Sequence, residues 1–406
     1  MSIVMNTVTS IIYSGKIQKD VAATLLAGLF FFPYIVFIFS YGDYNLYRIS
    51  HLFYLVLLVC AILLLKKNPG AMSWQAFVIT FAIFMSSIAA LSLDRFNGRE
   101  FDWILASQSF FFVALLLAID RIRHIGIESF LNASRPLAII FVLVSTTWFL
   151  SDPETRHGRY EFFGLHPNLG GELLFASICL IVFSRSRLVR WGFGLIILVM
   201  LFLLQSRAAI IASILVLFYA EWFYYFRVHG SIRRLRIKIG VSFLLISMLL
   251  FFYILLFGHS LDSLKIFALD EVLRTTDPHR GLDTGMFGRE ERWLLAVRVF
   301  LEHPIFGVGI NRVRDLTDGV SGHNGFINLL AEVGILAIPI FLAMWISIRR
   351  FWNSNRLLAV ILASSFFVFF FSDRSLNINA FPLIMWILIL PWAIHSKDQS
   401  EQITNN

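Results

Sequence analysis

Four groups of polar residues stand inside or at the rim of apolar runs in this chain, where each is costly enough to need a reason. The first is Gln205-Ser206-Arg207, a guanidinium between two hydrophobic stretches. Arg207 reads either as an interfacial anchor whose charge reaches water, or as an anion clamp whose planar fork suits phosphate oxygens. The second is Gly288-Arg289-Glu290-Glu291-Arg292-Trp293, opening a helical pattern. Arg289 has a glycine before it and a helix N-terminus around it, which favours anions. The competing reading is a solvated face with local Glu–Arg pairs, Arg292 included.

The third group is His323-Asn324, followed by Asn328 and Glu332. Asn324, Asn328 and Glu332 are four apart, so they form one polar stripe on a helix. His323 is either a cap or interfacial residue, or a largely neutral imidazole able to take a proton from a sugar hydroxyl. Glu332, two turns into an apolar run, must face partners or water. The fourth group is Arg156-His157-Gly158-Arg159-Tyr160-Glu161, leading to His166-Pro167-Asn168. Capping explains Asn168, while Arg159 and His166 suit a basic, aromatic vestibule for sugar. The sequence has no DxD metal-binding pair, P-loop or GxGxxG, which argues against nucleotide-sugar chemistry.

The elements that must position these groups are membrane helices. The chain is 58% hydrophobic and 15% charged, and its mean hydropathy is +0.76, too apolar to clothe a globule in water. Runs such as Val21–Tyr41 are long enough to cross ~30 Å of hydrocarbon as helices, the form that satisfies its own backbone there. The fold class expected is all-α: a polytopic membrane protein of about twelve spans in one membrane domain over residues 1–406. The spans are Val21–Tyr41, Ile49–Leu65, Gln75–Leu93, Trp103–Ile119, Pro136–Leu150, Leu169–Phe183, Trp191–Gln205, Ala208–Phe226, Ile239–Phe257, Gly325–Ile346, Leu357–Phe371 and Ala380–Ile394. Cys60 and Cys179 lie in such runs and form no metal or redox motif. The first run lacks a cleavage site and reads as a retained span.

The net charge of +8 is distributed as membrane topology and not as a nucleic-acid face. One set of loops holds Lys66, Lys67, Arg121, Arg123, Arg185, Arg187, Arg190, Arg233, Arg234, Arg236, Arg349, Arg350 and Arg356. The alternate short loops hold few basic residues, among them Arg95, Arg159 and Arg207. The positive-inside rule then puts both termini in the cytoplasm and the long connection 258–322, between spans nine and ten, on the far side. Two helices are expected in that loop, Phe267–Arg274 and Arg289–Glu302. The second is amphipathic, with Trp293, Val297, Phe300 and Leu301 on one face, and reads as a lid or cradle lying on the interface.

In order along the chain, Ser206-Arg207, Gly288-Arg289-x-x-x-Trp293, His303-Pro304-x-x-Gly307-x-Gly309, His323-Asn324-Gly325-Phe326 and Glu332-Val333-Gly334 resemble the O-antigen ligase family, which includes related polysaccharide polymerases. Phe287 and Glu290 stand where the family often has a small polar residue beside the arginine. The resemblance implies a GT-C-like glycosyltransferase of the bacterial inner membrane, working at its periplasmic face without metal, nucleotide or other cofactor. Its donor would be an undecaprenyl-pyrophosphate-linked glycan, its acceptor lipid A–core (ligase) or another glycan (polymerase), with membrane lipids as the remaining partner and no nucleic acid. Arg207 and Arg289 would hold pyrophosphate and His323 would activate the acceptor hydroxyl. Arg292, Asn324, Glu332, Arg159 and His166 would support substrate. A transporter or flippase for a lipid-linked glycan is the rival class; the ordered loop and the absence of visible repeats favour an enzyme.

Overall fold

A computed structural model describes Val21, Ala23, Thr24 and Ala27 and residues 74–96, 127–151, 155–156, 159–160, 167–204, 206–229, 287–310, 312–317 and 324–371. The second, fourth, ninth and twelfth expected spans, most of the first, and the helix expected over Phe267–Arg274 lie outside the described residues.

The described chain is helical apart from one pairing of two-residue strands. In order come α1 (Trp74–Phe96), α2 (Ile127–Ser151), β1 (Thr155–Arg156), β2 (Arg159–Tyr160), α3 (Pro167–Ile181), α4 (Arg187–Leu203) and α5 (Arg207–His229). Then follow α6 (Phe287–Glu302), α7 (Val313–Leu316), α8 (Gly325–Val333), α9 (Ala337–Ser354) and α10 (Arg356–Phe370). Among the described residues three helical stretches are long and apolar enough to cross a membrane: Phe130–Ser151, Arg207–Tyr224 and Gly325–Asn353. The protein is a membrane protein built of apolar helices.

Two corrections to the expected boundaries have local causes. Helix α2 begins at Ile127, not Pro136, and runs through the proline. Its ring removes one helical hydrogen bond there, a defect the helix absorbs. The expected tenth span is not one helix. Gly334 adopts φ 68°, which breaks the path after Val333; a 3-10 turn (Gly334–Leu336) follows, and α9 restarts at Ala337. Pro339 sits in the first turn of α9, where a missing N–H costs little.

Packing divides into two groups. Helices α2, α3, α4 and α5 form a bundle, with Gly194 of α4 allowing the side chain of Leu217 on α5 to approach. Helix α10 packs along α5 and joins this bundle to α8, α9 and α1, while α6 and α7 dock on α8. The turn between α3 and α4 is fixed by Arg190. Its guanidinium donates to the backbone oxygens of Ser184 (2.7 Å) and Arg185 (3.2 Å), bonds Glu221 on α5 (2.6 Å), and lies 4.4 Å over the Tyr224 ring. Arg190 is therefore a buried staple, whereas Arg185 and Arg187 beside it, and Arg349, Arg350 and Arg356 at the α9–α10 turn, are exposed.

Candidate functional site

The residues around the break after α8 are held by backbone. The turn after α6, His303–Ile310, inserts against it: Val308 N donates to Ala331 O (3.0 Å), Gly309 N to Glu332 O (3.0 Å), and Ile335 N to Pro304 O (2.8 Å). These bonds satisfy groups that a broken membrane helix would otherwise leave unpaired. The approach needs glycine on both sides. A Cβ on Gly307 (φ 67°) would stand 2.3 Å from Glu332 C and O, and one on Gly334 2.5 Å from Ile305 C and O. The His303-Pro304-x-x-Gly307-x-Gly309 and Glu332-Val333-Gly334 tags are thus two halves of one lock. From α1, Ser86 Oγ adds a second hydrogen bond to Glu332 O (2.6 Å).

At the other end of α8, Asn324 is the N-cap, its Oδ1 accepting from Phe326 N (3.0 Å) and Ile327 N (3.2 Å). Gly325 lies against the Phe369 backbone and ring on α10, where a Cβ would come within 2.4 Å of Phe369 O. Phe326 enters a nest of Phe341, Phe366, Phe369 and Phe370 at centroid distances of 4.4–6.0 Å. Trp293 of α6 meets Phe370 edge-on at 6.0 Å. Three residues of the His323-Asn324-Gly325-Phe326 tag therefore have packing or capping work, and His323 lies outside the described residues.

These two ends set the direction of α6. Trp293, near its start, stands at the aromatic nest with the start of α8, and the turn after Glu302 stands at the end of α8. The helices run side by side in the same sense, sealed by Ala296, Val299, Val308, Val313 and Ala331 with Phe300 and Ile327. This corrects the face expected from the sequence. Helix α6 packs on α8, and its inward face is Trp293, Ala296, Val299 and Phe300. Val297 and Leu301 are exposed.

Arg289 lies in the first turn of α6, about one turn before Trp293. Arg292 is exposed on another face. The polar stripe is buried: Asn328 is 2% and Glu332 3% exposed.

Arg207 opens α5, half-buried, directly after the buried Ser206. Helix α3 meets this turn through Gly171, whose Cβ would fall 2.2 Å from Ser206 Oγ. Arg159 is on β2, paired in register with Arg156, and His166 lies outside the described residues.

Two carboxylates escaped the sequence reading. Glu172, buried on α3, follows the glycine that Ser206 presses on. Asp94, buried at the end of α1, forms an ion pair with Arg312 (2.5 Å). A single acid inside an apolar run was the available signal for Glu172. Among the described residues no three His, Cys, Asp or Glu side chains gather as a metal site.

Residues 192–342 match the model of a family described as O-Antigen ligase, so the resemblance carried by the motifs is shown over that stretch. The match takes in Arg207, Arg289, His323 and Glu332, but not Arg159, His166, Glu172 or Asp94. No curated protein matches the chain.

Proposed function

We propose, for a chain whose residues 192–342 match the O-antigen ligase family, transfer of a glycan from an undecaprenyl-pyrophosphate donor to lipid A–core at the periplasmic face of the inner membrane. The observation that carries this reading is the parallel docking of α6 on α8. It brings the first turn of α6, with Arg289, to the end of α8 that His323 precedes, beside the C-terminal end of α10. Helix α10 also packs along α5, which Arg207 opens.

The acceptor hydroxyl oxygen attacks the anomeric carbon, the bond from that carbon to the pyrophosphate oxygen breaks, and undecaprenyl pyrophosphate leaves with the electron pair. His323 takes the hydroxyl proton, which passes on to solvent or to the leaving group. Negative charge grows on pyrophosphate, and the fixed guanidinium groups of Arg207 and Arg289 stabilise it in a site poor in water. Arg292, Asn324, Glu332, Arg159 and His166 support substrate in this reading, with Asn324 also capping α8. Both termini are cytoplasmic, a reading supported by exposed Arg185, Arg187, Arg349, Arg350 and Arg356 at the turns opposite the site.

The test is purified protein supplied with lipid-linked glycan and lipid A–core. A new glycan–core linkage supports ligation. A lengthened lipid-linked chain without core attachment means polymerase. Movement of the donor across a vesicle bilayer without a new linkage means transporter.

A further inference from the structure

Helix α1 holds the α6–α8 platform at two points about two turns apart. Ser86 Oγ bonds Glu332 O, and two turns later Asp94 bonds Arg312, with side-chain exposures of 5% and 15% for the acid and the base. Arg312 stands between the turn that locks onto the α8 break and the short helix α7, on the path from α6 to α8. A buried ion pair adds little net stability compared with apolar residues of similar size, yet removing one partner strands a charge. What such a pair can confer is geometry: it is satisfied at one seating of the platform against α1. Apolar contact alone, which tolerates sliding, does not set that seating as sharply.

We propose that Asp94 and Arg312 are positioning residues, seating the platform on α1 so that Arg289 and the start of α8 stand in register with Arg207. The catalytic half of this inference rests on the glycan-transfer reading; the seating itself does not. Neither residue touches substrate in this account. A misplacement of about 1 Å in a reacting constellation can cost ~10²-fold in rate, so a loosened platform lowers kcat far more than it raises donor KM.

The experiment uses the full chain in nanodiscs, with Cys60 and Cys179 replaced and spin labels at Phe84→Cys and Leu294→Cys, both exposed positions on α1 and α6. Asp94→Asn is expected to broaden the label–label distance distribution and to lower kcat by about 10²-fold. The reversed pair, Asp94→Arg with Arg312→Asp, is expected to narrow the distribution and recover most of the lost kcat. Should the reversed pair fail to insert, Arg312→Lys, which can keep an N–O contact to Asp94, replaces it and is expected to hold the parental distribution and most of the parental kcat. An unchanged distribution in Asp94→Asn overturns the proposal. So does a restored distribution with kcat still depressed, because Arg312 would then act on substrate directly. If the parent protein transfers no glycan, the functional reading fails while the distance measurement still decides the seating.

Discussion

Gly307→Ala tests whether the lock between the α6 turn and the α8 break holds the site together. An alanine at φ 67° costs ~1–2 kcal/mol in backbone strain alone. The larger cost is steric, because the new methyl would stand 2.3 Å from Glu332 C and O and 2.5 Å from Val333 N, all backbone atoms that cannot rotate away. Relief requires the turn to lift, which breaks the bonds Val308 N–Ala331 O, Gly309 N–Glu332 O and Ile335 N–Pro304 O. Each buried group left unpaired costs ~1–3 kcal/mol, so the total is at least ~4 kcal/mol, a large share of a typical folding free energy. Gly192→Ala on the exposed face of α4 is the control: its Cβ meets nothing within 4 Å, and alanine should stabilise the helix by ~0.5–1 kcal/mol. Hydrogen exchange in micelles reads both. In Gly307→Ala, peptides covering 304–310 and 331–336 should lose protection while α3 and α4 keep theirs, and glycan transfer should collapse. Parental protection of those two peptides, with a parental melting midpoint, would refute the lock.

Three further outcomes are expected. Arg207→Lys and Arg289→Lys should each lose most transfer at normal expression, since a point charge cannot reproduce the guanidinium fork, whereas exposed Arg185→Lys should be nearly silent; full activity in both would return those arginines to interfacial anchoring. His323→Ala should slow transfer by ~10²–10⁴-fold with donor binding intact, and His323→Gln should not rescue it. If Gln does rescue, the imidazole positions the acceptor and Glu332 becomes the base to test. In a background lacking Cys60 and Cys179, Ser263→Cys should label with an impermeant maleimide in cells with a permeabilised outer membrane, and Ser231→Cys should not; the reverse pattern would invert the site's side of the membrane.

The apolar runs made the helices legible because hydrocarbon leaves few alternatives, and α3, α5 and α10 start and stop within a few residues of where hydropathy puts them. Hydropathy could not show that Gly325–Ile346 is broken. The break depends on Gly334 meeting Ile305 and Gly307, partners separated in sequence and silent in composition. The inward face of α6 was misjudged for a related reason. Leu294, Val297 and Leu301 are as apolar as Val299 and Phe300, so the apolar arc is wider than the contact, and only α8 decides which part of it is used. The Asp94–Arg312 pair was beyond reach, since its partners are 218 residues apart and neither lies in a motif.

The lock also implies an order of assembly. Its hydrogen bonds join Pro304 with Ile335, Val308 with Ala331 and Gly309 with Glu332, all inside one short stretch of chain. Such local closure is entropically cheap and fast, and it can follow soon after the ribosome releases that stretch into the membrane. The ties to α1 reach back across 246 residues for Ser86 and 218 for Asp94, to a helix inserted long before. The platform would then be a late arrival, closing on itself first and berthing afterwards against a wall already built.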